Sequence, residues 1–257
     1  PRQAEDVFTR ADGKTFAVGY AAAPIEVEGE IVGTVLAFGD ITARKQADAA
    51  QALLAQTSAV LAASLDYETT LARVARLAVP DLADVCIVDL LEPDGAIRRV
   101  AVAHADPAQE RAVAEQLRRW APRSTGPNPV ARALRHGQAE LVPEVDEARL
   151  QLIAQNPEHL AAIRVLGPRS VMNVPLVARG RTLGALSFIS TAAGRHYGPA
   201  DLALAEDVAR RAALAMDNAR LYGEAREAVR VRDEFLAVAA HELKTPITSL
   251  RGFAQLK

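Results

Sequence analysis

The sequence predicts an α+β protein in which antiparallel sheets are joined by helices and followed by one long, coiled-coil-like helix. Three observations carry that prediction. Residues 6 to 42 alternate apolar and polar side chains with the period of two that half-buried strands need. Residues 67 to 221 order their elements as helix, strand, strand, helices, strand, strand, helix. From Tyr222 onward apolar residues recur every seven positions. A chain of 257 residues has room for one or two cores of ordinary size.

The first element is a three-stranded meander made of "DVFTR", "TFAVGYAAAPIEV" and "EIVGTVLAFGD", with Asp12-Gly13 and Glu28-Gly29-Glu30 as the turns. Phe16, Val18 and Tyr20 on one run, and Val32, Leu36 and Phe38 on another, give it a greasy face. Three strands are marginal alone, so the remainder of this domain is expected to precede Pro1. The pattern then changes to a period of 3.6 through Leu53, Leu54, Val60, Leu61 and Leu65, a helix that Asp40 or Thr42 would cap. A strand, then Asp40-Ile41-Thr42, then a basic helix start resembles the end of a PAS domain. The resemblance assigns 1–46 to the C-terminal part of such a domain and 47–66 to a signalling helix.

The next stretch holds two hairpins. "ADVCIVDLLEPDGAIRRVAVA" turns at Pro93-Asp94-Gly95, and "SVMNVPLVARGRTLGALSFIST" turns at Arg179-Gly180. Between them three helices open on a short polar cap followed by proline: Asp106-Pro107, Asn128-Pro129 and Asn156-Pro157. Gln109 lies three residues after Asp106, the spacing of a capping box. With "LALAEDVARRAALAMDNARLY" closing the unit, residues 67–222 resemble a GAF domain of the sensor-kinase type. That implies a central antiparallel sheet, a dimerising helix layer on one face and a pocket for a small molecule on the other. Cys86 sits in an apolar strand, which argues against a thioether-linked bilin. His104, His136, His159 and His196 are scattered singly, so surface or capping roles are expected of them rather than metal or haem ligation.

Composition excludes several classes. Half the residues are hydrophobic, 24% are charged and the net charge is −2, without the basic excess that a phosphate backbone demands, so no nucleic-acid partner is expected. The single cysteine fits a reducing compartment. No apolar run reaches the roughly 18 residues that span a bilayer, and a cytoplasmic location is expected for this fragment, with any membrane anchor of its parent lying upstream.

The seven-residue stripe runs through Tyr222, Val229, Leu236, Leu243 and Leu250, with Ala225, Ala239, Pro246 and Phe253 between them and Arg232 as the exception. Gly223 is a place where one helix could end and another begin. On this stripe His241 falls farthest from the seam, and Thr245 shares its face one turn on. A zincin would need a second histidine at position 245, which is Thr. An ordinary exposed histidine leaves Pro246 unexplained, since an interior proline costs a helix about 3 kcal/mol. The stretch "FLAVAAHELKTPITSLRGFAQL" resembles the H-box of sensor histidine kinases, including the proline that bends or loosens the helix after the histidine.

That resemblance implies a set of roles. His241 is the phosphoacceptor, Glu242 the base that orients it and takes its proton, and Thr245 the residue that positions water for dephosphorylation. Residues 223–257 become the first helix of a truncated dimerisation and phosphoacceptor domain. The sequence holds no glycine-rich ATP lid, so ATP and Mg2+ belong to a catalytic domain outside it and no cofactor or metal is assigned to these residues. The implied partners are a second copy, through the GAF and H-box helices, and the receiver domain of a response regulator. The competing class is a non-catalytic PAS/GAF ligand-binding regulatory module that uses residues 235–257 only as a dimer linker.

Overall fold

In a computed structural model, residues 2–11, 13, 15–122, 126 and 128–254 are described, with side chains for 4–11, 13, 15–122, 126 and 128–236. The meander forms as the alternation requires. Strands β1 (Arg2–Thr9), β2 (Thr15–Val27) and β3 (Glu30–Asp40) pair antiparallel in that order. Phe8 lies across from Phe16 in register and within 6.5 Å, ring centre to ring centre, of Phe16, Tyr20 and Phe38, so the aromatic residues cluster on one face. Val18 is buried, whereas Val32, Leu36 and Phe38 remain exposed.

Helix α1 (Thr42–Ala62) begins directly after β3. Its N-cap position is Ile41, which makes no side-chain cap bond. Asp40 and Thr42 instead tie the helix to the sheet. The Asp40 carboxylate accepts from the Thr42 N–H at 2.9 Å and pairs with Arg10 at 2.7 Å, and Thr42 Oγ1 accepts from the Ala17 N–H at 3.1 Å. These partners, Thr42 foremost, hold the Asp40 carboxyl below its usual range. The helical period was expected to include Leu65, but α1 ends at Ala62 and Leu65 is exposed. The reason is local: Asp66 starts a second helix, α2 (Tyr67–Leu77), by accepting from the Thr69 N–H and hydroxyl.

The larger unit continues with β4 (Val85–Leu91), β5 (Ile97–His104), α3 (Pro107–Arg118), α4 (Pro129–His136), β6 (Glu140–Val142), α5 (Glu147–Ile153), α6 (Pro157–Leu166), β7 (Ser170–Ala178), β8 (Arg181–Ser190) and α7 (Pro199–Ala254). Its sheet is antiparallel in the order β5-β4-β8-β7-β6. Asp106, Asn128 and Asn156 each cap the helix whose start they signal. At Asp106 the box is rewired, because Gln109 donates to the Asp106 carboxylate while the Asp106 N–H donates to His104 Nδ1. Strand β6 and helix α5 were not anticipated; three and seven residues are too short to show a period. Gly184 lets β4 and β8 approach, since a Cβ there would lie 2.4 Å from the Asp89 carbonyl oxygen.

One face of this sheet is a closed apolar core. Cys86, Val88 and Leu90 of β4, Met172, Val174 and Leu176 of β7, and Leu186 and Phe188 of β8 pack under Leu53 of α1, Leu71 and Val74 of α2, and Val208 and Ala212 of α7. Burial pushes the Cys86 thiol well above its ordinary value, so it stays protonated and behaves as a small hydrophobe. Ala205, Ala209, Ala212 and Ala213 are buried on α7, and these small side chains let the helix lie close to the strands. Beyond the sheet α7 continues through Gly223, so the glycine does not end it, and Pro246 lies inside the same helix. Among the described residues no helix is long and apolar enough to cross a membrane.

Candidate functional site

The opposite face of the sheet borders a cavity of about 140 Å3, walled by α3 to α6 and floored by β4, β5, β7 and β8. Because side chains alternate along a strand, the residues next to Cys86, Met172 and Phe188 point here. Ile87, Ser187 and Asn173 are register partners in one row across β4, β8 and β7, and Glu140 of β6 continues it. Ser187 and Asn173 are nearly fully buried, and the Ser187 hydroxyl donates to Asn173 Oδ1 at 2.8 Å. Ile189, Val171, Val142, Val130 and Ile163 make the surrounding wall apolar.

Two ion pairs frame the cavity. Arg99 and Asp89 are register partners on β5 and β4; Arg99 Nε and Nη2 donate to the two Asp89 oxygens at 2.8 and 3.0 Å. Both side chains are sealed from solvent, and Arg99 Nη1 donates to the Leu117 carbonyl at 2.7 Å, which pins the last turn of α3 over the sheet. Arg132 of α4 pairs with Glu140, its Nε lying 3.2 Å from Oε2. A buried pair is satisfied only when both charges and their remaining hydrogen-bonding groups find partners, and the three-point grip on Arg99 meets that condition.

Trp120 and His159 form the aromatic part of the wall. Their rings stack with centroids 5.1 Å apart and planes 11° from parallel. His159 Nδ1 accepts from the Gln155 N–H at 3.1 Å, just ahead of the cap of α6, which leaves the ring proton on Nε2. Burial, and then the Arg99 charge, hold His159 below its ordinary value, so the ring is neutral at physiological pH. Of the surface or capping role expected for His159, the capping part holds at the start of α6 and the surface part is corrected, since the residue is 7% exposed and lines the cavity. His104 Nδ1 accepts from the Asp106 N–H, His196 Nδ1 lies 3.0 Å from the Pro143 carbonyl, and His136 is exposed in the last turn of α4.

The other candidate site lies on α7. His241, Glu242 and Thr245 fall within this helix, and their side chains lie outside the described residues. The apolar stripe that leads to them is open where it is described: Tyr222, Val229 and Leu236, seven residues apart, are each about half exposed. Arg232, the exception in the stripe, pairs with Asp233 at 2.9 Å. Where α7 leaves the sheet, Asp217 is held by Arg220 at 2.8 Å and lies 3.0 Å from Arg179 in the β7–β8 turn. Neither Asn173, Ser187, Trp120 nor the Arg99–Asp89 pair was singled out from the sequence. A readable signal existed for the first two, which are polar residues inside strand runs that are otherwise apolar on both faces.

An antiparallel sheet with a helix layer on one face and a walled cavity on the other defines an α+β domain with one packed and one hollow face. Residues 66–216, more than half of the chain, match the GAF domain model, and the chain belongs to the GAF domain family. Residues 231–256 match the His Kinase A (phospho-acceptor) domain. No curated protein matches. Among solved structures, the GAF domain of a phosphoenolpyruvate-protein phosphotransferase from Coxiella burnetii is similar with a TM-score of 0.53 and 16% identity, covering 69% of this chain and 98% of its own. The corresponding domain from Acinetobacter gives 0.51 and 12%, covering 69% and 95%. Free methionine-R-sulfoxide reductase from Neisseria meningitidis, solved with its substrate, gives 0.50 and 17%, covering 69% and 93%. At these identities the likeness shows the fold.

Proposed function

We propose that the chain is the sensory and phosphoacceptor part of a two-component sensor histidine kinase, with the cavity as input and His241 as output. One observation carries the reading. Helix α7 packs Val208 and Ala212 into the core of the GAF sheet and then runs on, without a break, into the segment that matches the phosphoacceptor domain. A ligand that shifts β7 or β8 acts on this helix through the shared core and through the Arg179–Asp217 contact.

In the proposed chemistry a neutral His241 nitrogen attacks the γ-phosphorus of ATP, the bond to the bridging oxygen breaks, and ADP leaves. Glu242 hydrogen-bonds the other ring nitrogen and takes its proton. The phosphoryl group then passes to an aspartate of a response regulator, and Thr245 positions the water that later hydrolyses this aspartyl phosphate to free carboxylate and inorganic phosphate. ATP and Mg2+ are bound by a separate catalytic domain. The open stripe at Tyr222, Val229 and Leu236 is read as half of a homodimer seam. Residues 1–46 are read as the C-terminal part of a PAS domain, supported by the meander and by the Asp40–Thr42 tie that closes it. The whole is placed in the cytoplasm.

The test supplies the cognate catalytic domain with labelled ATP. Acid-labile, base-stable label should enter the chain and vanish in His241→Ala. Label persisting in that variant would refute His241, and a chain that accepts no label would leave the non-catalytic regulatory module as the reading.

A further inference from the structure

We propose that the GAF cavity takes an uncharged molecule of about single-ring size that presents an acceptor oxygen to the Asn173 carboxamide. The inference rests on reading the cavity as the input site, and it names the chemistry of what enters.

Size sets the first limit. About 140 Å3 is close to the roughly 150 Å3 of an engineered apolar cavity that admits benzene. A single ring fills that volume. The wall then sets the body of the ligand, because Ile87, Val130, Val142, Ile163, Val171 and Ile189 offer apolar surface.

The polar groups set its functional group. Asn173 accepts from Ser187, and among the described residues its own N–H donors have no protein partner. The same holds for the Nε2–H of His159, whose Nδ1 is occupied by Gln155. Among the described residues, the fully sealed side-chain atoms that make no hydrogen bond lie elsewhere, on Thr57, Asp217 and Arg220. The Asn173 and His159 nitrogens therefore keep some accessible surface, and for Asn173, which is 2% exposed and lines the cavity, that surface is the cavity. A purely structural pair in this place would leave donors unanswered, at about 1–3 kcal/mol for each buried group, where two apolar residues would leave none. Water can answer them in the empty state, and a ligand oxygen replaces that water.

Charge sets the last limit. Among the described residues of the wall, the sealed Arg99 is matched by Asp89 and the part-buried Arg132 by Glu140, while Arg149 is exposed at the rim. A carboxylate in the interior would find donors but, among the described residues, no buried cation left without a carboxylate partner, and burying an ion that way is unfavourable. Donors without net charge select a carbonyl over an acid.

Trp120 is the sole tryptophan and stacks on His159, so its emission reports occupancy directly. The 257-residue chain would be titrated by calorimetry and Trp120 emission with acetophenone, with α-methylstyrene, in which a CH2 group replaces the ketone oxygen, and with benzoate. Acetophenone should bind about tenfold more tightly than α-methylstyrene, the worth of one net hydrogen bond, and benzoate more weakly than either. Asn173→Leu should erase the preference for the ketone while keeping the hydrocarbon. Equal affinity for ketone and hydrocarbon, or benzoate as the tightest probe, would overturn the proposed chemistry and leave the cavity as an input site. If none of the three binds or moves Trp120 emission, the proposal and the input-site reading fall together. Should Asn173→Leu not fold, the three probes on the unaltered chain decide the matter alone.

Discussion

The two faces of the five-stranded sheet are made by the same strands and differ in what they bury. Toward α1, α2 and α7 the strands present Cys86, Val88, Met172, Leu176 and Phe188, packed in one apolar cluster. Toward α3 to α6 the alternate residues are Ile87, Asp89, Asn173 and Ser187, and a cavity remains. A sheet covered on both sides gains nothing in stability from polar residues on one of them. The contrast therefore separates a face built to hold the fold from a face built to hold something else.

Truncating the packed face should have the largest effect. Phe188 is fully buried, so Phe188→Ala should lower unfolding free energy by about 3–5 kcal/mol in urea titrations. On the cavity face the large effect should come from charge. Asp89→Ala strands the Arg99 guanidinium and should lose about 3 kcal/mol, while Asp89→Leu combined with Arg99→Met should recover most of it. Recovery in the double variant would show that the pair frames the cavity without being needed to hold the fold. A smaller loss, about 1 kcal/mol, is expected for Ser187→Ala, which removes one buried hydrogen bond.

A pH effect on the cavity face should be smaller still. His159 is held below its ordinary value of 6.5, by burial first and by the Arg99 charge second. As pH falls below about 6.5 the unfolded chain binds a proton that the folded chain refuses, so the stability present at neutral pH is lost on acidification. His159→Phe should flatten that part of the profile, as read by thermal melts over a pH series. A profile unchanged by the substitution would mean that the acid sensitivity comes from other groups.

Much of the packed face was legible in the sequence and little of the cavity face was. The hairpins declare themselves by Gly95 and Gly180, which take positive φ at no steric cost, and the caps at Asp106, Asn128 and Asn156 by a polar side chain before proline. Cys86 could be placed in the core because its strand is apolar at every position but Asp89. The cavity, by contrast, is assembled from residues far apart in the chain. Trp120 reaches His159 across 39 positions, and Asn173 meets Ser187 only once β7 and β8 pair in register. Periodicity reports which face a residue occupies and carries no information on which helix will cover it. The segment that matches the phosphoacceptor domain was legible for a third reason, a long match to a known pattern.

The comparison matters for function only if a change on the cavity face reaches His241, and α7 is the element that spans the distance. Each residue inserted into a helix turns everything beyond it by about 100°. The direct measurement is autophosphorylation of the full-length parent with one to seven residues inserted between Arg226 and Glu227. The account predicts a periodic response, with a single insertion uncoupling or locking the kinase and seven, which restore the phase to within about 20°, keeping regulation. Activity that stays flat across the series would contradict transmission through α7.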